Sequence, residues 1–146
     1  MLRARIYQKM TATSPKKGRR MRRRRLRPMD VEISFLEGLV RKDPEFIEAW
    51  EVLGDNYLAL GRAQDGLVVD ERLCELLPVD SCARYNLACS LAINGQFDRA
   101  ALELALALDL GYRDFPHLAK DPELEQLRKH PSFRKVRAKI TALTKA

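Results

Sequence analysis

Few residues of this chain have the type and spacing that catalysis requires. Its two histidines, His117 and His130, each stand beside a proline at a turn. Neither has cysteine, histidine or acid partners at metal-ligand spacing. Asp114 and Asp121 lie near His117 and would suit a general base, but solvated loop polarity accounts for the same pattern. Ser90 falls within a packed helix and lacks the G-x-S-x-G frame that exposes a nucleophile. No glycine loop of the phosphate-cradling kind is present. Cys74, Cys82 and Cys89 are odd in number and form no CxxC pair. Cys82 and Cys89 are seven residues apart, so two helical turns place them on one face. They read as reduced, small packing residues of a cytoplasmic protein. No catalytic residue, cofactor or metal is expected.

Charge is the stronger signal. The net charge of +7 is an average over two unlike regions. Residues 1–29 hold 12 basic residues and no acid, among them Lys16, Lys17, Arg19, Arg20, Arg22, Arg23, Arg24, Arg25 and Arg27. The other 15 basic residues face all 20 acids, so residues 30–146 carry −5. A self-repelling run with almost no apolar periodicity reads as a disordered basic tail. Such a run neutralises phosphates without reading sequence, and it would equally meet an anionic membrane surface. No aromatics interleave the arginines between Lys16 and Arg27, so base stacking is not indicated. Met10 offers an alternative start, which would make part of the tail an extension. Elsewhere Glu48, Glu51 and Asp55 are spaced three and four apart and stack on one helical face. The row is either a solvated face or a docking strip for a basic ligand.

The elements that carry these residues follow from apolar periodicity. No run of 18 apolar residues exists, so no transmembrane helix is expected. No apolar stretch of signal-peptide length follows the basic N-terminus. From Asp30, the residues Ile33, Phe35, Leu36, Leu39 and Val40 predict an amphipathic helix that Pro44 ends. Asp43 is the expected cap of the next helix, whose stripe is Phe46, Ala49, Trp50, Leu53, Tyr57 and Leu60. Gly61 closes it. A helix over 63–77 then carries Leu67, Val68, Leu73, Leu76 and Leu77. The next stripe is Ala83, Leu87, Ala88 and Leu91, turned at Asn94-Gly95-Gln96, with Asp98 as the following cap. The segment RAALELALALDL is apolar around much of its circumference and predicts neighbours on more than one side. Asp121-Pro122-Glu123 opens a short helix with Leu124 and Leu127 inward. Phe133, Val136, Ile140 and Leu143 mark a last helix.

Leu53 and Leu87, Gly61 and Gly95, and Pro44 and Pro78 are each 34 residues apart. With W-x2-L-G-x2-Y at Trp50, Leu53, Gly54 and Tyr57, this resembles the tetratricopeptide repeat (TPR) family. The second unit is weaker, with Arg84 for Trp, Ala88 for Gly and Leu91 for Tyr. Gly111 to Asp114, then Asp121, Pro122, Leu124, Leu127, Arg128, Pro131 and Phe133, resemble the closing segment of bacterial TPR proteins. The resemblance covers about residues 47–140. It implies an all-α, short helix-turn-helix solenoid: a half repeat at 30–44, repeats at 45–80 and 81–114, and capping helices at 115–144, after the tail at 1–29.

The resemblance also implies a role. TPR arrays bind peptides or helices in the groove lined by the first helix of each repeat. Here that face would hold Glu48, Glu51, Asp55, Leu58 and Ala59, then Cys82, Tyr85, Asn86, Cys89 and Ile93. Only Asn86 matches the clamp by which some members hold a chaperone carboxylate, and the acids contradict that clamp. The expected function is therefore a non-catalytic adaptor that binds a protein or peptide partner, a basic one by charge. The alternative is a nucleic-acid-associated factor anchored by the tail, with non-specific affinity. The acidic row could also receive the chain's own basic tail.

Overall fold

A computed structural model describes residues 27–146. The expected basic tail, from Lys16 to Arg25, lies outside the described residues. Among the described residues there is no strand. The helices are α1 (Pro28–Lys42), α2 (Ile47–Ala59), α3 (Ala63–Leu76), α4 (Ser81–Ile93) and α5 (Phe97–Asp109). They are followed by α6 (Phe115–Lys120), a 3-10 turn (Pro122–Leu124), α7 (Glu125–Lys129) and α8 (Phe133–Lys145). Successive helices pack on each other from α1 to α5, and α8 returns against α5. The result is an all-α solenoid of consecutive helix pairs with a helical closing segment.

Periodic turns make the array periodic. Gly61 and Gly95 have φ of 70° and 74°. That left-handed region costs a residue with a Cβ about 1–2 kcal/mol and costs glycine almost nothing. At the first turn Gly61 N donates to Leu58 O and Arg62 N to Tyr57 O. At the second, Gln96 N reaches Leu91 O in the same way. These bonds satisfy the carbonyls that a helix end leaves open.

The core has two parts, and α3 serves both. Val69 and Leu73 join Ile33, Leu36, Val40, Ala49, Leu53 and Tyr57 on one side. Leu67 and Cys74 join the larger cluster that runs through α4, α5 and the closing segment. Ala100, Ala101, Leu104, Ala107 and Leu108 of α5 are buried, with α4 on one flank and α8 on the other. Leu124, Leu127, Phe133 and Val136 lie inward as the periodicity predicts, with Ile140 and Leu143 partly buried against them.

Polar groups vary between repeats at equivalent positions. Asp70 on α3 is 1% exposed and accepts a hydrogen bond from the Ser90 hydroxyl on α4. Thirty-four residues earlier, the same two places hold Leu36 and Asn56. With no acid opposite it, Asn56 Nδ2 is buried without a hydrogen-bond partner.

Several local expectations are corrected. The first helix starts at Pro28, not Asp30, because proline at the first position pre-sets the helical φ. Asp30 then accepts from Arg27 N. Asp43 does not cap α2; its carboxylate accepts from Glu45 N within a separate turn. Pro44 O is turned toward Trp50 Nε1 and the Arg72 guanidinium, at 3.0 Å for the nearest contacts, so α2 begins only at Ile47. Phe46 is consequently exposed. Val68 and Phe35, also expected inside, are 60% and 66% exposed. Asp98 lies within α5 rather than capping it, and its carboxylate meets the Ser132 hydroxyl. Helix α6, six residues long, had no periodicity to announce it.

Candidate interaction surface

The first-helix faces of the two repeats behave differently. On α2, Glu48 and Glu51 are exposed and Asp55 is half-buried. Val52, which the sequence reading passed over, stands on the same face and is 42% exposed. At 100° per residue it falls about 40° from Glu48, on the side away from Asp55 and Glu51. This face therefore combines carboxylates with an apolar contact. Glu48 and Glu51 are exposed, so pairing them with a cation costs less desolvation than pairing buried acids would.

On α4 the equivalent face is largely closed. Tyr85 and Cys89 are 4% and 1% exposed, Asn86 is half-buried, and Cys82 is exposed. What covers them is the closing segment. The Tyr85 hydroxyl donates to Asp121 Oδ2 at 2.7 Å, and Cys89 Sγ lies 3.7 Å from the same oxygen. His117 Nε2 approaches it at 3.2 Å. Asp121 Oδ1 accepts from Glu123 N, capping the 3-10 turn. Arg128 Nη1 holds the Asp121 carbonyl at 2.7 Å and Leu118 O at 3.1 Å. Tyr85 stacks on Tyr112 with ring centroids 4.3 Å apart. His117, expected in a solvated turn, is thus a half-buried member of α6 that faces Asp121.

These contacts form a structural clamp. Donor atoms of Cys89, Asp121 and Glu123 lie within 4.8 Å of one another. The Asp121 oxygens among them already accept from an O–H and an N–H. A separate group, Ser132, His130 and Asp98, has the wrong order for nucleophilic catalysis. His130 Nδ1 and Asp98 both contact the Ser132 hydroxyl. A triad instead needs the carboxylate on the far nitrogen of the imidazole.

Burial shifts several protons. Tyr85 is pushed well above its ordinary value of 10.0 by burial first and then by Cys89 and Asp121. Burial also raises Tyr112. Burial and then the Glu37 hydrogen bond at 2.6 Å raise Tyr57. The Cys74 thiol is pushed up from 9.0 to about 12, chiefly by burial. Above its unfolded value each group keeps its proton when folded and loses it when unfolded. Their stability contribution is therefore complete well below pH 9 and declines as pH rises past the unfolded values of 9.0 for Cys74 and 10.0 for the tyrosines. Each reaches a slope of about 1.4 kcal/mol per pH unit. Melting temperature is expected to fall with increasing steepness from pH 9 to 11. A flat profile over that range excludes the linkage.

The described residues thus define an all-α helix-pair solenoid with one first-helix face open and one covered. Among them no helix is long and apolar enough to cross a membrane. No protein-family model matches the chain. Over 53 residues it is 42% identical to a chloroplastic protein of Arabidopsis thaliana. That stretch is 36% of this chain and 16% of that protein, so the chain spans well under two thirds of its relative's length.

Proposed function

We propose that this chain is a TPR-type adaptor without catalytic activity, which binds a basic peptide or helix along α2. One observation carries the reading: Glu48, Glu51 and Val52 stay exposed on α2, while the equivalent face of α4 is sealed by Asp121 and its neighbours. The TPR assignment itself is supported by the 34-residue register of Gly61 and Gly95, which recurs in the backbone bonds of both turns. A partner with arginine or lysine at helical spacing would meet the carboxylates, with an apolar side chain over Val52. Exposed ion pairs are each worth under about 1 kcal/mol. Affinity then depends on several at once and falls with salt. A reducing compartment such as the cytoplasm belongs to this reading, since Cys74, Cys82 and Cys89 are all free thiols.

The second reading, nucleic-acid association through residues 1–29, rests on their 12 basic residues and no acid. Affinity capture separates the two. Full-length chain and a Glu48→Lys, Glu51→Lys variant are compared, each with and without nuclease. A protein partner that survives nuclease and is lost from the variant supports the adaptor. Partners that vanish with nuclease and ignore the variant move the nucleic-acid reading to first place.

A further inference from the structure

Helix α1 has one covered face and one open face, and the internal register says what the open face lacks. Advancing α1 by 34 residues superimposes it on α3. Ile33 and Val40 then match Leu67 and Cys74, and each of these pairs faces the following repeat. Phe35 and Leu39 match Val69 and Leu73, which α2 covers to 1% and 7% exposure. Phe35 itself is 66% exposed, and Val31, one turn before it, is 54% exposed. Among the described residues, no helix stands to α1 as α2 stands to α3. The residues in register with α2 offer no matching apolar stripe. Thirty-four residues before Ala49, Leu53 and Tyr57 stand Pro15, Arg19 and Arg23.

We propose that a second copy of this chain closes the face, its α1 packing antiparallel to the first with Phe35 at the two-fold axis. Phe35 is the central residue of the 15-residue helix Pro28–Lys42. Antiparallel pairing about it brings Val31 opposite Leu39 of the second copy, so each apolar residue meets another. Charge agrees with this direction. Glu32 lies about one turn from Lys42 of the second copy, and both positions are exposed. The helix dipoles oppose favourably. The N-termini of the two α1 helices, each at Pro28, then lie at opposite ends, about 22 Å apart at 1.5 Å per residue. That is about twice the Debye length of ~10 Å at 0.1 M salt, so their repulsion is screened. Parallel pairing would set them side by side. A contact of one helix per copy is smaller than the roughly 1,200–2,000 Å² of stable interfaces. The dimer is therefore concentration-dependent and exchanges quickly.

Sedimentation equilibrium of the full chain, freed of nucleic acid, tests this at about 0.1 M salt over a roughly hundredfold concentration range. The mass is expected to climb from the 16.8 kDa of one chain toward twice that value and no further. Phe35→Glu sets two carboxylates at the axis and is expected to hold the protein monomeric at every concentration. At dilutions where the parent is also monomeric, its thermal melt should match the parent, because Phe35 is exposed. Lys42→Glu is expected to weaken association at least threefold, and adding Glu32→Lys to restore it. A parent that stays monomeric throughout overturns the proposal. So does a dimer that survives Phe35→Glu, or a mass that grows beyond two copies.

Discussion

Replacing Asp121 by alanine is expected to lower the unfolding free energy by about 2–4 kcal/mol. The loss has two sources. The Tyr85 hydroxyl, on a side chain 4% exposed, loses the carboxylate it donates to at 2.7 Å. A buried donor left unmatched costs about 1–3 kcal/mol. The Glu123 amide also loses its cap, typically worth about 1 kcal/mol. Asp121→Asn is expected to be milder, because an amide still caps and still pairs with a hydroxyl. Tyr85→Phe should cost less than Asp121→Ala, since it leaves no donor behind and the carboxylate keeps Glu123 N and His117. Urea denaturation of the single and double variants measures the coupling. Asp121→Ala within about 0.5 kcal/mol of the parent would refute the clamp. The variant has a second readout, because freeing the closing segment uncovers the α4 face. Cys89, now 1% exposed, should become reactive to a thiol reagent.

A larger loss, up to about 5 kcal/mol, is expected for Leu104→Ala. Leu104 is fully buried on α5, inside the cluster that also holds Leu91, Leu124 and Leu127. Truncation removes the transfer energy of its side chain and leaves a cavity that rigid helices cannot collapse to fill. Two residues away, Leu102 is 69% exposed, and Leu102→Ala should fall within about 0.5 kcal/mol of the parent. Composition and helix propensity treat the two leucines alike, so the contrast isolates packing. Domains hold only about 5–15 kcal/mol of stability. The Leu104 variant should therefore sit near its unfolding threshold in calorimetry. Equal melting temperatures for the two variants would show that Leu104 is not packed in solution as it is here.

How much of this was legible varies by element. The turns were readable because Gly61 and Gly95 serve a local need, a left-handed backbone, at a fixed period. The inward residues of the last helices were readable because Leu124, Leu127, Phe133 and Val136 follow helical spacing. Val68, Phe35 and Phe46 misled because hydrophobicity says that a residue can be buried, not that a neighbour exists to bury it. The acidic row was visible as a row. Asp121 was visible as a cap and as a neighbour of His117, but not as the partner of Tyr85, since that bond spans 36 residues. Asp70 went unread, although its spacing from Leu67 and Cys74 placed it within a buried stripe. Its partner Ser90 had no sequence signal.

By itself, then, the chain's order of residues determined the helical class, the 34-residue period, the turn positions and the charge contrast between its first 29 residues and the rest. These depend on backbone conformation, helical period and net charge, which act over a few residues or need no geometry. Tertiary structure alone decided that α4's face is closed while α2's is open, and that Asp121, Tyr85 and His117 converge. It also decided that Phe35 faces outward. Those outcomes depend on which surfaces meet. A helix's own sequence specifies the stripe it offers, but only its neighbours determine whether that stripe is covered.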